Sequence, residues 1–244
     1  MPFRLKNAEA TYQRLVNQMF NKQIGRNVQV YVDDMLVKSK EEESHLDELK
    51  KTFDTFKQYS MKLNPTKCAF GVSTGKFLGF IVSQRGIKAN PKKVKAILEM
   101  SLPKTVKEVQ SLIRRIAALN RFVSRVTDKC LPFFKTLKQA FVWTDECEAA
   151  FQEVKRYLSN PPLLSPSKEG EDLFLYLVVS MIAVSATLIR EKQRVQCSVY
   201  YISQAFQGAK TKYPRMEKIT FALVVASRKI HPYFQMNPII VMTN

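Results

Sequence analysis

The chain has no apolar run long enough to cross a membrane and no basic-then-apolar leader at its N-terminus. A membrane-spanning helix needs about 20 consecutive apolar residues, and no stretch of the 244 residues approaches that length. A secretory signal would place a basic start before an apolar segment. The sequence therefore predicts an intracellular protein, in the cytoplasm or nucleus, that is not secreted and has no membrane partner.

Cysteine and histidine are too few and too scattered to predict a zinc site. The four cysteines are Cys68, Cys130, Cys147 and Cys197, and none of them forms a C-x-x-C pair. The two histidines, His45 and His231, lie far from all four in sequence. Because zinc sites need closely spaced ligands, we expect reduced, mostly buried thiols and ordinary surface or packing roles for both histidines.

Acidic residues are scarce relative to basic ones. The chain has 21 Asp and Glu against 39 Lys and Arg, a net charge of +18, and an isoelectric point near 9.8. The cations are spread from Arg4 to Arg228. A distributed positive field attracts polyanions, of which nucleic acid is the commonest. The alternative is a basic protein with solvated lysine faces.

Hydrophobic periodicity and proline divide the chain into four segments and predict an α+β fold. Residues 1–89 mix helix and strand patterns, and 90–160 read as helical. The proline-rich stretch 161–170 is the predicted linker. Residues 171–244 predict three strands, a helix over 217–233 and a last strand at 239–242, an α/β layer. The elements predicted in the first segment are a helix over 8–20, strands at 28–32 and 35–37, a helix over 41–59 and a hairpin over 76–87.

The motif richest in chemistry is Tyr31-Val32-Asp33-Asp34 between two apolar strands. Adjacent carboxylates at a hairpin tip repel one another, and a divalent cation relieves that repulsion. Magnesium prefers carboxylate oxygens and leaves room for phosphates. The alternative is that Asp-Asp is simply a good polar turn.

The surrounding motifs decide between these two interpretations. Tyr-Val-Asp-Asp between hydrophobic strands resembles the signature of reverse transcriptases, and the neighbouring motifs resemble those of gypsy-type LTR retrotransposons, closest to plant elements. The motifs follow in the expected order: residues 1–8 with 11–13 before the active-site hairpin, 63–70 in the palm, 76–80 with 86–87 in the primer-grip hairpin, and 118–123 and 143–151 in the thumb and connection. The resemblance covers essentially the whole chain.

The resemblance implies a role for each of several residues. Asp33 and Asp34 would be catalytic and would bind Mg²⁺, and Lys67 would lie near the incoming dNTP. The primer-grip residues Phe77, Leu78 and Gly79 would place the primer 3′ end. Four arginines, Arg114, Arg115, Arg121 and Arg125, would contact the RNA template and DNA primer or an RNA–DNA hybrid, although a solvated helix face is the alternative for them.

The sequence also departs from the family's pattern. The family's third metal-binding aspartate and its fingers would precede Met1, so we expect that an upstream part of pol is missing. Arg4 stands where the family has glycine. In the RNase H-like segment, Val178 and Asn244 replace two aspartates, and of four acids Glu217 remains.

The sequence thus predicts a partial palm with its YVDD hairpin at 1–89, a helical thumb and connection at 90–160, and a truncated RNase H-like domain at 171–244. It predicts a reverse transcriptase and RNase H fragment that is catalytically incomplete as an isolated chain. Two alternatives stay open: a non-catalytic nucleic-acid-binding remnant, and a decayed retrotransposon fragment that never folds stably.

Overall fold

The computed structural model describes residues 7–39, 41, 43–138 and 141–243. The chain forms two compact units, Met1–Gln84 and Arg85–Asn244. The predicted α+β class is confirmed, and the predicted linker at 161–170 lies inside the second unit. None of the helices in the described ranges is long and apolar enough to span a membrane.

The first unit combines two helices with two antiparallel hairpins. Its elements are α1 (Ala8–Met19), β1 (Val28–Tyr31), β2 (Asp34–Val37), α2 (His45–Gln58), a 3₁₀ turn (Pro65–Lys67), β3 (Thr74–Phe77) and β4 (Phe80–Ser83). Strand β1 pairs with β2, and β3 pairs with β4. Within the predicted hairpin over 76–87, the chain turns at Leu78 and Gly79, between β3 and β4.

The core of the first unit lies between α1, α2 and β1. Five buried side chains form it: Val16, Met19, Phe20, Val28 and Phe56. Helix α2 begins at His45, four residues later than the predicted Glu41, and two of its apolar side chains, Leu46 and Phe53, are exposed. Thr52 is buried on this helix; its hydroxyl donates to the carbonyl of Glu48 at 2.8 Å, and Gln23 Oε1 lies 3.3 Å from it.

The second unit begins with a short strand and a group of helices. Its first elements are β5 (Gly86–Ala89), α3 (Pro91–Leu98), α4 (Val106–Ala117), α5 (Val126–Lys129), α6 (Leu131–Lys138) and α7 (Asp145–Ser159). Three of these helices begin where a side chain accepts a hydrogen bond from the first turn. Asn90 accepts from Lys92 N–H, Thr105 from Glu108 N–H and Thr144 from Cys147 N–H.

A four-stranded sheet completes the second unit. Its elements are β6 (Leu173–Val179), β7 (Ala183–Lys192), β8 (Val195–Ala205), α8 (Arg215–Lys229), α9 (His231–Met236) and β9 (Ile239–Thr243), and the strand order is β8-β7-β6-β9. Only β9 runs parallel to its neighbour, β6. Helix α8 covers one face and buries Ala222, Val225 and Ala226 against it. The predicted single helix to Tyr233 is divided at Ile230, since Pro232 has no N–H to continue it.

The segment between α7 and β6 is held to the rest of the second unit by hydrogen bonds and an ion pair. Leu164 exchanges two backbone hydrogen bonds with Ile87, at 2.9 and 3.0 Å. Arg190 donates to the carbonyl of Pro166 at 2.7 Å and forms a half-buried ion pair with Glu171 at 2.6 Å. These bonds satisfy the backbone groups that a proline-rich segment leaves without secondary structure.

The backbone hydrogen bonds between Leu164 and Ile87 require a glycine at position 86, and we expect Gly86→Ala to destabilise the second unit. The backbone φ of Gly86 is +136°, and an added Cβ would lie 2.0 Å from the Leu164 carbonyl oxygen. We expect a loss of about 3 kcal/mol in the free energy of unfolding, which corresponds to roughly 10 °C in the melting temperature. The control is Gly170→Ala, where φ is +78° but nothing lies within 4 Å. Equal melting temperatures for the two variants would contradict the steric argument.

Candidate active-site hairpin

The two aspartates lie at the tip of the β1–β2 hairpin. Tyr31 pairs with Asp34, which leaves Val32 and Asp33 as the two loop residues. Val32 has a φ of +48°, as the first position of a type II′ turn requires. For a β-branched residue this conformation is a true outlier and costs about 1–3 kcal/mol. The tip is therefore a strained turn that the surrounding structure must hold.

Gln13 of α1 contacts this strained turn. Its Oε1 accepts a hydrogen bond from Val32 N–H at 2.7 Å, and its Nε2 lies 3.4 Å from the carbonyl of Val30 and 2.9 Å from Asn17 Oδ1. The sequence placed Gln13 inside a motif but gave it no role. No signal in the sequence identifies it, because neither the left-handed Val32 nor its amide partner can be read from residue types.

The second hairpin reaches the aspartates through its own loop. Leu78 and Gly79 separate β3 from β4, and their φ values are +50° and +74°, which is the type I′ pattern. Leu78 N–H donates to Asp34 Oδ2 at 3.1 Å. The structure therefore brings together two groups that lie 44 residues apart in sequence, the Asp33-Asp34 tip and the predicted primer-grip residues Phe77, Leu78 and Gly79.

Both carboxylates at the tip are exposed, and a half-buried tyrosine lies near them. Burial raises the pKa of Tyr12, and the negative charge of Asp33 raises it further. Tyr12 is therefore an uncharged phenol at neutral pH. Among the described residues no group of three or more His, Cys, Asp or Glu side chains could hold a metal ion. The tip offers two carboxylates, a number sufficient for a magnesium ion that keeps several waters and awaits substrate phosphates.

Lys67 lies in the same unit, at the end of the 3₁₀ turn that Asn64 caps by accepting a bond from Thr66 N–H at 3.1 Å. Its side chain is exposed. In the described part of the chain no ion pair joins it to Asp33 or Asp34. The structure therefore leaves the ammonium of Lys67 open to solvent.

The four predicted nucleic-acid-binding arginines have different surroundings. Arg114 and Arg115 are exposed in the last turn of α4, and Arg115 Nη1 donates to the carbonyl of Ala96 at 2.5 Å. Arg121 is half-buried, with its guanidinium 4.5 Å above the Tyr200 ring. Arg125 has a left-handed backbone and pairs with Asp128 at 3.1 Å. Within the described residues, Arg114 and Arg115 are thus the two of the four that face solvent without an aromatic or acidic partner.

The residues predicted at the RNase H-like acidic positions also differ in their surroundings. Val178 is 40% exposed on β6 and pairs with Ser185. Glu217 is exposed in the first turn of α8. The next residue, Lys218, is buried, and its ammonium lies 3.3 Å from the carbonyl of Met181 and 5.0 Å from the Phe206 ring centre. Two further predicted residues, Arg4 and Asn244, lie outside the described residues.

We expect Asp34→Ala to free the Leu78 amide. The substitution removes the only acceptor that the described structure gives Leu78 N–H, and hydrogen bonds to charged groups are stronger than neutral ones. Hydrogen exchange of the Leu78 amide, measured by NMR, should quicken about tenfold, equivalent to ~1.4 kcal/mol. Asp34→Asn, which keeps an acceptor oxygen, is the control and should change the rate less. An unchanged rate in Asp34→Ala would show that this bond does not hold the second hairpin.

Two family descriptions match the chain. Residues 1–82 match "Reverse transcriptase (RNA-dependent DNA polymerase)", and residues 143–241 match "RNase H-like domain found in reverse transcriptase". The first match contains both hairpins, and the second contains the four-stranded sheet. The strand that carries Val178 and the helix that carries Glu217 therefore lie in the RNase H-like match.

Solved structures share the fold. A foamy viral protease-reverse transcriptase in complex with RNA/DNA hybrid matches with a TM-score of 0.85 and 22% sequence identity. The match covers 100% of this chain and 33% of the foamy viral chain. A foamy viral protease-reverse transcriptase in complex with dsDNA matches with a TM-score of 0.82 and 23% sequence identity. That match covers 100% of this chain and 51% of the foamy viral chain. At this identity the likeness establishes the fold alone.

Three curated relatives align with 96% of this chain. They are the Pol polyprotein from transposon 297 of Drosophila melanogaster, at 29% identity, that from transposon opus of the same fly, at 26%, and the Tf2-3 polyprotein of Schizosaccharomyces pombe, at 25%. The alignments span 22%, 24% and 18% of those proteins, so the chain corresponds to about a fifth of their length. The chain is thus similar to reverse transcriptases over residues 1–82, to the RNase H-like domain found in reverse transcriptase over residues 143–241, and to transposon Pol polyproteins over 96% of its length.

Proposed function

We propose that this chain takes part in RNA-templated DNA synthesis as a portion of the pol polyprotein of a gypsy-type LTR retrotransposon of plant origin. The observation that carries the proposal is the hydrogen bond from Leu78 N–H to Asp34, which joins the two hairpins that such chemistry needs at one place. The gypsy-type and plant assignments rest on the resemblance of the sequence motifs. Sequencing the coding region upstream tests them: an open frame with a further palm aspartate is expected.

Reverse transcriptases with RNase H domains use divalent metal ions, and in this chain Asp33 and Asp34 would hold Mg²⁺. Both carboxylates are exposed at the hairpin tip, and Mg²⁺ binds through one or two carboxylates together with substrate phosphates. When bound, the ion supplies positive charge to the phosphates and to the attacking hydroxyl. The residues of the chain position it: the strained turn presents Asp33, and Leu78 N–H fixes one oxygen of Asp34.

The substrates would be dNTPs and a primer annealed to an RNA template. Lys67 is exposed, and its ammonium would offset the charge of an incoming triphosphate. Phe77, Leu78 and Gly79 would place the primer 3′ end, since the Leu78–Gly79 loop already touches Asp34. Gly79 has no side chain and so permits a close approach of the primer backbone.

The helical part of the second unit would follow the nucleic-acid backbone. Residues 91–117 carry seven Lys or Arg against two acids, Glu99 and Glu108. Arg114 and Arg115 are the two of the four candidate arginines that remain exposed with no aromatic or acidic partner in the contacts above. Phosphate contacts of this kind give affinity that depends on salt and not on sequence.

The RNase H-like domain would bind nucleic acid without cleaving it. Val178 offers no oxygen where the family has aspartate, and Glu217 is a single exposed acid in the first turn of α8, where the helix dipole favours it. The buried ammonium of Lys218, beside the Met181 carbonyl, adds positive charge that opposes a divalent ion. We assign 1–89 to the palm, 90–160 to the thumb and connection, 161–170 to a linker and 171–244 to the RNase H-like domain. We propose that the protein acts inside the cell, in the cytoplasm or nucleus, together with other parts of pol.

The metal proposal predicts a divalent-ion site that depends on Asp33. Mn²⁺ is the probe, because its electron paramagnetic resonance signal falls when it binds protein. We expect Asp33→Asn to weaken Mn²⁺ binding about tenfold, because the neutral amide removes a unit charge from contact with the ion. Asp172→Asn, at an exposed aspartate outside the hairpin, is the control. Equal Mn²⁺ affinities for Asp33→Asn and wild type would contradict a metal site at the hairpin tip.

The nucleic-acid proposal predicts salt-dependent binding to an RNA–DNA hybrid. Fluorescence anisotropy across a series of salt concentrations should show a slope of log affinity against log salt that is smaller by about two in Arg114→Ala/Arg115→Ala. Arg228→Ala/Lys229→Ala removes the same charge from the exposed last turn of α8 and is the matched control. The RNA strand should stay intact throughout. An unchanged slope, or cleavage that Glu217→Gln abolishes, would contradict this proposal.

A further inference from the structure

The four-stranded sheet of the second unit has one covered edge and one open edge. At the β8 edge, Ser165 N–H donates to the carbonyl of Ser198 at 2.8 Å, and the 3₁₀ turn Asn120–Phe122 packs against the strand. At the opposite edge, no strand of the described residues pairs with the outer side of β9. An unpaired strand edge is a template for pairing with another chain, so β9 is where this sheet can accept a further strand.

The pairing of β9 with β6 shows which backbone groups of β9 point outward. Leu173, which pairs with Ile239 in the parallel register, donates its N–H to the carbonyl of Pro238 at 3.0 Å. The backbone groups of successive residues in a strand point alternately to its two sides. The N–H and C=O groups of Ile239, Val241 and Thr243 therefore point away from β6.

Strand β9 has none of the features by which proteins protect a strand edge. Its residues 239–243 include no charged side chain and no proline, and its register with β6 is continuous, without a bulge. Three consecutive apolar side chains, Ile240, Val241 and Met242, are 43%, 39% and 41% exposed. Natural proteins guard their edge strands with charge, proline or bulges because an unguarded edge associates. β9 is thus an uncharged, apolar edge on a strongly basic chain.

The net charge of the chain favours a second copy as the partner of this edge. Two molecules that each carry +18 repel one another, so they meet most readily where both are uncharged. β9 meets that condition, whereas a polyanion such as nucleic acid finds no cation on it. In an antiparallel pair centred on Val241, each Val241 faces its counterpart, and Ile239 faces Thr243 of the second copy. This register joins the outward backbone groups of both copies at once.

We propose that β9 is a homodimerisation edge, at which two copies of this chain join their sheets antiparallel about a two-fold axis through Val241. The assembly ends at two copies, because the β8 edge of each sheet is already covered. A pair of five-residue strands is small beside the ~1,200–2,000 Å² of a stable specific interface. The dimer is therefore weak, with a dissociation constant on the order of 10–100 µM. The inference is independent of the proposed chemistry.

Sedimentation equilibrium of the whole chain over a range of concentrations measures this association. We expect Val241→Lys to weaken dimerisation about tenfold, because two like charges then face one another across the axis. Val241→Asp by itself should have the same effect. An equimolar mixture of the two variants should recover an affinity near that of wild type, because opposite charges then face one another. Only the pairing of β9 with its own copy at Val241 produces this recovery.

The controls separate the edge from general charge and from folding. Met181→Lys adds the same charge at an apolar residue that is 79% exposed in the turn between β6 and β7, and it should leave the dissociation constant nearly unchanged. Melting temperatures show whether each variant remains folded. Added salt should strengthen the dimer, because it screens the repulsion between the two copies, whereas salt weakens binding to nucleic acid.

Three results would overturn the inference. The first is a wild-type chain that stays monomeric up to about 1 mM, well above the expected dissociation constant. The second is association that both Val241 variants leave unchanged, which would place the contact at another surface. The third is a mixture of Val241→Lys and Val241→Asp that associates no better than either variant alone, although both variants remain folded. Such a mixture would show that the edge binds something other than its own copy.

Discussion

Two-residue hairpin loops favour turns whose first residue has a positive φ, and here that residue is valine, with a φ of +48°. The hairpin can keep this loop because contacts from two directions hold it. Gln13 accepts from Val32 N–H on one side, and Leu78 N–H donates to Asp34 on the other. Strain at a site of this kind persists where the surroundings determine the backbone. The placement of both carboxylates depends on these two bonds.

The two adjacent aspartates are therefore not equivalent. Asp34 forms the last pair of the β1–β2 hairpin, with Tyr31, and its Oδ2 accepts a hydrogen bond from Leu78 N–H. Asp33 lies in the turn itself. Their mutual repulsion is tolerated because both are exposed to water. This arrangement leaves the Asp33 carboxylate exposed in the turn and fixes the Asp34 carboxylate to the β3–β4 hairpin.

The sheet of the second unit is held together by apolar side chains. Three strands, a helix and a parallel edge strand enclose an apolar core that contains no carboxylate among its buried residues. Lys218 is buried one residue after Glu217 and is stabilised by a carbonyl and an aromatic face. Val178 and Glu217 are both exposed, so neither side chain contributes to the buried core of this sheet and helix.

The sequence by itself determined the α+β class, the general order of helical and strand segments, and the identity of the paired acids. It could do so because periodicity, caps such as Asn90 and Thr105, and short motifs are local properties of the chain. The break at Leu78–Gly79, the buried face of α2 and the role of Gln13 were decided by the tertiary structure. Each depends on a positive φ or on a hydrogen bond between residues 19 to 44 positions apart, and neither a backbone angle nor a distant partner is encoded in a local pattern of residue types.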